Sequence, residues 1–76
     1  MKEMIRSIIN MLVDHPDDVR ITDIEGAGIA IYELRCHPDD LGKVIGKEGK
    51  TVGAVRTLLS VVAARQGRRA VLEVVE

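Results

Sequence analysis

Leu41-Gly42-Lys43-Val44-Ile45-Gly46-Lys47-Glu48-Gly49-Lys50-Thr51 runs a short apolar helix into a Gly-x-x-Gly loop, and the loop directly into a long amphipathic helix. Leu41, Val44 and Ile45 have the i, i+3, i+4 spacing of a helix face. Gly46 and Gly49 carry no Cβ, so the backbone between them can come close to another molecule. The helix that opens at Lys50 is expected to aim free N–H groups and the positive end of its dipole at the same place. Such a site favours a phosphate.

Other glycine motifs fail on spacing. A P-loop places a glycine five residues before its Gly-Lys-Ser/Thr end. Gly49-Lys50-Thr51 supplies that end, but the earlier position holds Val44. The dinucleotide fingerprint requires a glycine two residues before Gly46, which is Val44 again. Both motifs follow a strand, whereas this loop follows a helical pattern. Nucleotide hydrolysis is therefore set aside.

Working outward, Met4, Ile5, Ile8, Leu12 and Val13 recur at helical spacing, and the spacing predicts a helix from about Lys2 to Asp14, ended by His15-Pro16. Val19 to Glu25 is rich in β-branched residues, Gly26-Ala27-Gly28 reads as a turn, and Ile29 to Cys36 reads as a second strand. His37-Pro38-Asp39-Asp40 starts a short helix, with proline in the first turn and two aspartates at the positive dipole end. After the loop, Lys50 to Gln66 places Val52, Val55, Leu59, Val62 and Ala63 on one face. Gly67 ends that helix, and Ala70 to Val75 is a final strand. The order is α-β-β-α-α-β. Ala30, Tyr32, Leu34 and Cys36 share one face of the second strand, and the mixed opposite face suits a sheet covered by helices on one side. A right-handed crossover makes the second and third strands parallel.

The chain has 76 residues, and 46% are hydrophobic and 30% charged, which is the composition of one globular domain. A domain of this size buries only about 60% of its unfolded surface, so a partner would help it. The N-terminus lacks the apolar block of a signal peptide, and no apolar run is long enough to span a membrane. The single Cys36 excludes an internal disulfide and fits a reducing cytoplasm. The net charge of −1 conceals a division. Residues 1–41 carry four basic and nine acidic side chains; residues 42–69 carry seven basic ones and a single acid, Glu48. Positive charge gathered around and after the glycine loop points to a phosphate-facing surface. The plain alternative is a solvated helix face that happens to be basic.

This order, with Gly-x-x-Gly between the two middle helices, resembles a type II K-homology (KH) domain of α+β class over essentially the whole chain. Tyr32-Glu33-Leu34-Arg35, the run from Pro38 to Thr51, and Val55-Arg56-Thr57-Leu58-Leu59 are similar to the signature of small bacterial stand-alone KH proteins, the KhpA family. The resemblance implies one KH domain over residues 1–76, with a three-stranded mixed sheet. It also implies cytoplasmic, non-catalytic binding of single-stranded RNA, and association as homodimers or with a second, larger KH-containing protein linked to cell-envelope growth. KH loops clamp the backbone of about four nucleotides. Carried onto this chain, Gly46, Lys47, Glu48 and Gly49 hug the sugar-phosphate backbone, and the amides near Lys50 and Thr51 donate to phosphate. Gly42, Val44, Ile45 and Val52 form an apolar floor for bases, and Lys43, Lys50 and Arg56 extend a positive rim. Glu48 opposes Lys47, and Tyr32, the only aromatic, is assigned to the core. Stacking worth roughly 1–3 kcal/mol per base is thus mostly forgone, and weak binding of low specificity is expected.

No catalytic, metal or cofactor site is read from the sequence, and no small-molecule substrate. His15 and His37 lack the Cys/His spacing of a zinc site, Cys36 reads as a buried small residue, and Asp17-Asp18 and Asp39-Asp40 read as capping residues. On the long helix, Ala54, Leu58 and Val61 fall away from the core stripe and continue towards Arg65, a strip expected to carry a dimer contact. A KH-shaped interaction subunit with a vestigial groove remains the competing reading.

Overall fold

A computed structural model describes residues 1–76. Helix α1 (Lys2–Asn10) is followed by strands β1 (Arg20–Gly26) and β2 (Ile29–Arg35), helices α2 (Leu41–Ile45) and α3 (Lys50–Arg65), and strand β3 (Arg69–Val74). Short 3-10 turns at Pro16–Asp18, Pro38–Asp40 and Lys47–Gly49 precede β1, α2 and α3. The α-β-β-α-α-β order is as expected. The sheet order is β1-β2-β3, with β1 antiparallel to β2 and β2 parallel to β3.

β2 is the central strand, and its alternation carries the core. Ala30, Tyr32 and Leu34 are buried against the helices, while Ile29, Ile31 and Glu33 stand half-buried on the opposite face. Ile21 of β1 pairs with Leu34, and Leu72 of β3 pairs with Tyr32, extending the buried row across all three strands. From above come Ile5 and Ile9 of α1, Val44 of α2, and Val52, Val55 and Leu59 of α3. Ala63 is buried too, whereas Val62 is only half-buried, at the margin of the stripe. Beyond Ile21, β1 is exposed through Gly26, so the hairpin tip projects from the body.

Helix α1 stops four residues earlier than its periodicity suggests. The Leu12 N–H turns back to the Ile9 carbonyl in a tight i→i−3 bond. The Asp14 and His15 amides then leave the helix altogether and donate to the carboxylate of Asp40, at 3.1 and 2.9 Å. A charged acceptor competes successfully with a helix carbonyl for these donors. Leu12 and Val13 still pack against the core, which is why the sequence pattern outruns the helix.

Leu59 is fully buried at the centre of this contact set. Truncating Leu59→Ala removes three buried carbons and leaves a cavity, and is expected to cost about 2–5 kcal/mol, a large share of what a domain this small can have. Urea denaturation followed by circular dichroism checks it; a loss below about 1 kcal/mol would mean the core collapses freely around the site.

Candidate nucleic-acid interface

The Gly-x-x-Gly loop closes in an unusual backbone path. Gly46 lies at φ 77, ψ 170, a region essentially reserved for glycine. A Cβ there would also run into Thr51, 2.6 Å from its Cβ and 2.8 Å from its backbone nitrogen. Gly46 is thus required first by its own neighbour, because the turn brings Thr51 down onto it. Gly49 sits at φ 74, ψ 14 with open space around it, so its bare surface faces outward. Glu48, between them, is the one non-glycine residue with positive φ, at 59°. An L-residue there costs roughly 1–2 kcal/mol, which the surrounding turn must hold.

Loop donors are arranged differently from the expectation. The Gly49 N–H bonds to the Gly46 carbonyl and the Lys50 N–H to the Lys47 carbonyl, the 3-10 closure of the loop. The Lys50 amide is therefore already engaged and is not free for a phosphate. α3 also has no side-chain cap, so its positive end meets the loop unshielded. Lys47, Glu48 and Lys50 are exposed and join no ion pair.

The remaining residues assigned to a groove divide into three places. Gly42 is exposed, and Ile45 and Thr51 half-buried, beside the loop. Val44 and Val52, by contrast, are 1% and 6% exposed and belong to the core, so their side chains are not open to a base as a floor. Lys43 faces the other way. Its ammonium donates to the Asp14 carboxylate and lies 3.7 Å from that of Asp40. The hydrogen bond to Asp14 raises its pKa against the opposing effect of burial, with both carboxylates adding to the rise. Its charge is compensated within the protein. Arg56 reaches the far edge of the sheet, donating through Nε to the Leu72 carbonyl at 3.1 Å, and keeps a positive charge with no acidic partner.

Asp40 is the residue that sequence reasoning missed. It precedes α2, but its side chain makes no capping bond there; the aspartate that reads as a cap is fully buried and reaches across to Asp14 and His15. Burial alone would raise its pKa, but the two amide donors, with His15 and Lys43, outweigh that and hold it below the ordinary value. Capping of the Pro38 turn falls instead to His37, whose Nδ1 accepts the Asp39 N–H at 3.0 Å. Cys36 is half-buried rather than buried, and burial, then Asp40, pushes its thiol upward. Ala54, Leu58, Val61 and Arg65 do lie together on an exposed face of α3, with Leu58 and Val61 52% and 55% accessible.

Comparison with known proteins agrees with this geometry. A family model described as "KhpA/KhpB, KH domain" matches residues 2–74. The chain belongs to the KhpA/KhpB KH-domain family. It is 50% identical over its full length to the RNA-binding protein KhpA of Chlamydia pneumoniae, covering 97% of that protein. It is 43% identical to the RNA-binding protein KhpA of Halalkalibacterium halodurans, with both chains covered completely. The RNA-binding protein KhpA of Aquifex aeolicus is also 43% identical, with 96% of it covered. No solved structure matches the chain. Within the run from Pro38 to Thr51, Lys47 and Lys50 are the cations that are exposed and join no ion pair.

The two loop glycines should respond unequally to substitution. Gly49→Asn, in a left-handed conformation that asparagine tolerates, is expected to change stability by less than about 1 kcal/mol. Gly46→Ala adds a forbidden dihedral to a clash and is expected to cost about 3 kcal/mol or more. Thermal melts of both variants decide it, and equal costs would show that Thr51 yields without penalty.

Proposed function

We propose that this protein binds single-stranded RNA without catalysis, as a small bacterial RNA chaperone or regulator in the cytoplasm. The observation that carries the reading is the loop Gly46-Lys47-Glu48-Gly49. It joins an outward bare glycine to two unpaired lysines at the uncapped start of α3. Relatives similar over the whole chain are named RNA-binding proteins, which supports RNA as the ligand. No helix is long and apolar enough to cross a membrane.

Phosphate is held by Lys47 and Lys50, with Arg56 farther along the sheet edge. Lys43 drops out because Asp14 and Asp40 neutralise it. With about three phosphates contacted, log affinity falls against log salt with a slope of roughly −2. Lys47→Asp with Glu48→Asp turns the clamp into two carboxylates and is expected to weaken binding by at least about tenfold without unfolding, since the loop is exposed. Fluorescence anisotropy on a short labelled RNA across a salt series reads both effects; a folded variant binding as tightly as wild type would remove the loop from the mechanism.

A second reading, a KH-shaped interaction subunit with a weak groove, draws on Glu48 within the clamp and on the burial of Val44 and Val52. Flat salt dependence favours it.

The protein acts as a dimer, with a second copy or with another KH protein, through the exposed face of α3. Ala54, Leu58 and Val61 form an apolar strip beside Arg65 on a domain with a thin core. In a homodimer the contact is isologous, with Val61 near the two-fold axis. Val61→Asp then opposes two carboxylates and releases monomers. Sedimentation equilibrium reports it: a wild-type mass near 8.3 kDa at all concentrations would exclude the homodimer.

A further inference from the structure

We propose that His15, His37 and Asp39 form a binding site for one first-row divalent metal ion of the zinc class. The three side chains come from separate parts of the sequence: His15 from the connection between α1 and β1, His37 and Asp39 from the turn that leads into α2. One ligand atom from each lies within 4.8 Å of the other two. The imidazole rings of His15 and His37 are stacked, with centroids 4.0 Å apart and a tilt of 30°. His37 Nδ1 is 3.8 Å from an Asp39 carboxylate oxygen.

Ligand atoms around a tetrahedral ion with bonds of about 2.0–2.1 Å stand roughly 3.3 Å from one another. Closing onto an ion requires the two stacked rings to rotate until their in-plane lone pairs converge, a movement open to them because His15 and Asp39 are exposed and His37 half-buried. Two imidazoles and one carboxylate suit zinc, nickel, copper or iron, whereas calcium and magnesium demand oxygen ligands. His37 Nδ1 accepts the Asp39 N–H, so Nδ1 is the ring nitrogen that presents a lone pair on this side. The metal therefore takes Nδ1, displacing an amide that is free to turn to water.

The site is held in place from beneath. The buried Asp40 carboxylate accepts the backbone N–H of His15 itself, and Asp40 follows Asp39 directly, while Pro38 restricts the backbone between His37 and Asp39. His15 is thereby fixed beside a turn some twenty residues away in sequence. Position by backbone hydrogen bonds and a proline is the kind of support a metal site needs. The spacing of the ligands along the chain conceals this, since neither histidine belongs to a local metal motif.

The test uses full-length protein without a histidine tag, titrated with zinc chloride by calorimetry and with cobalt chloride by visible absorption. One zinc per chain is expected, together with a melting temperature that rises with zinc concentration. His15→Ala and His37→Ala are each expected to weaken binding by at least about tenfold, since even outer partners of a metal ligand are worth that much. Asp39→Asn should weaken it as well. Long-range proton–nitrogen NMR of the wild type gives a readout independent of variant folding: zinc must shift the His37 Nδ1 resonance more than Nε2. The proposal is overturned by no binding up to about 1 mM zinc, by affinity unchanged in a folded His15→Ala variant, or by a shift confined to Nε2.

Discussion

The buried carboxylate of Asp40 is the constraint on which much of this domain depends. It lies at the start of α2, yet accepts the amides of Asp14 and His15 from the connection between α1 and β1. A buried anion without donors is very costly, so these two segments must meet. The consequences spread outward. Beyond the tight last turn of α1, the Asp14 and His15 amides are taken by this carboxylate, so the helix is not resumed. Lys43 is drawn towards Asp14 and Asp40, which compensate its charge. The turn from His37 to Asp40 is held in place, and with it the direction in which α2 delivers the chain to Gly46.

The glycine loop inherits that direction. α2 is only five residues long, about 7.5 Å of axial rise, so an error at its start would appear at its end. Gly46 then reverses the chain in a conformation other residues cannot adopt, with Thr51 packed over it. The two glycines therefore do different work. Gly46 is internal architecture that lets the turn close, and Gly49 is the open surface. Positive charge is sorted in a similar way: Lys43 and Arg68 pair at the surface with Asp14 and Glu25, while Lys47 and Lys50 join no ion pair.

The path of the chain was legible in its sequence because the signals were local and repeated. Alternation in β2, the stripe of α3, and proline and glycine at the boundaries each report on their neighbours within a few residues. The loop was legible because Gly46 and Gly49 flank two charged residues at a spacing that other glycine motifs do not share. What could not be read was non-local. Nothing near Asp40 shows that its partners are Asp14 and His15, about twenty-five positions away. Val44 and Val52 looked available to a ligand because each lies close to the loop, but their side chains are buried in the core. The meeting of His15 with His37 was hidden for the same reason.

The contact from Arg56 to the Leu72 carbonyl bears on how this domain behaves in a crowded solution. β3 is an edge strand, and the outward carbonyls and amides of an edge invite a strand from any neighbouring chain. A guanidinium set against the middle of that edge occupies an acceptor and carries a charge to any approaching copy. Sheet extension, which has no natural stopping point, is thereby discouraged at the strand.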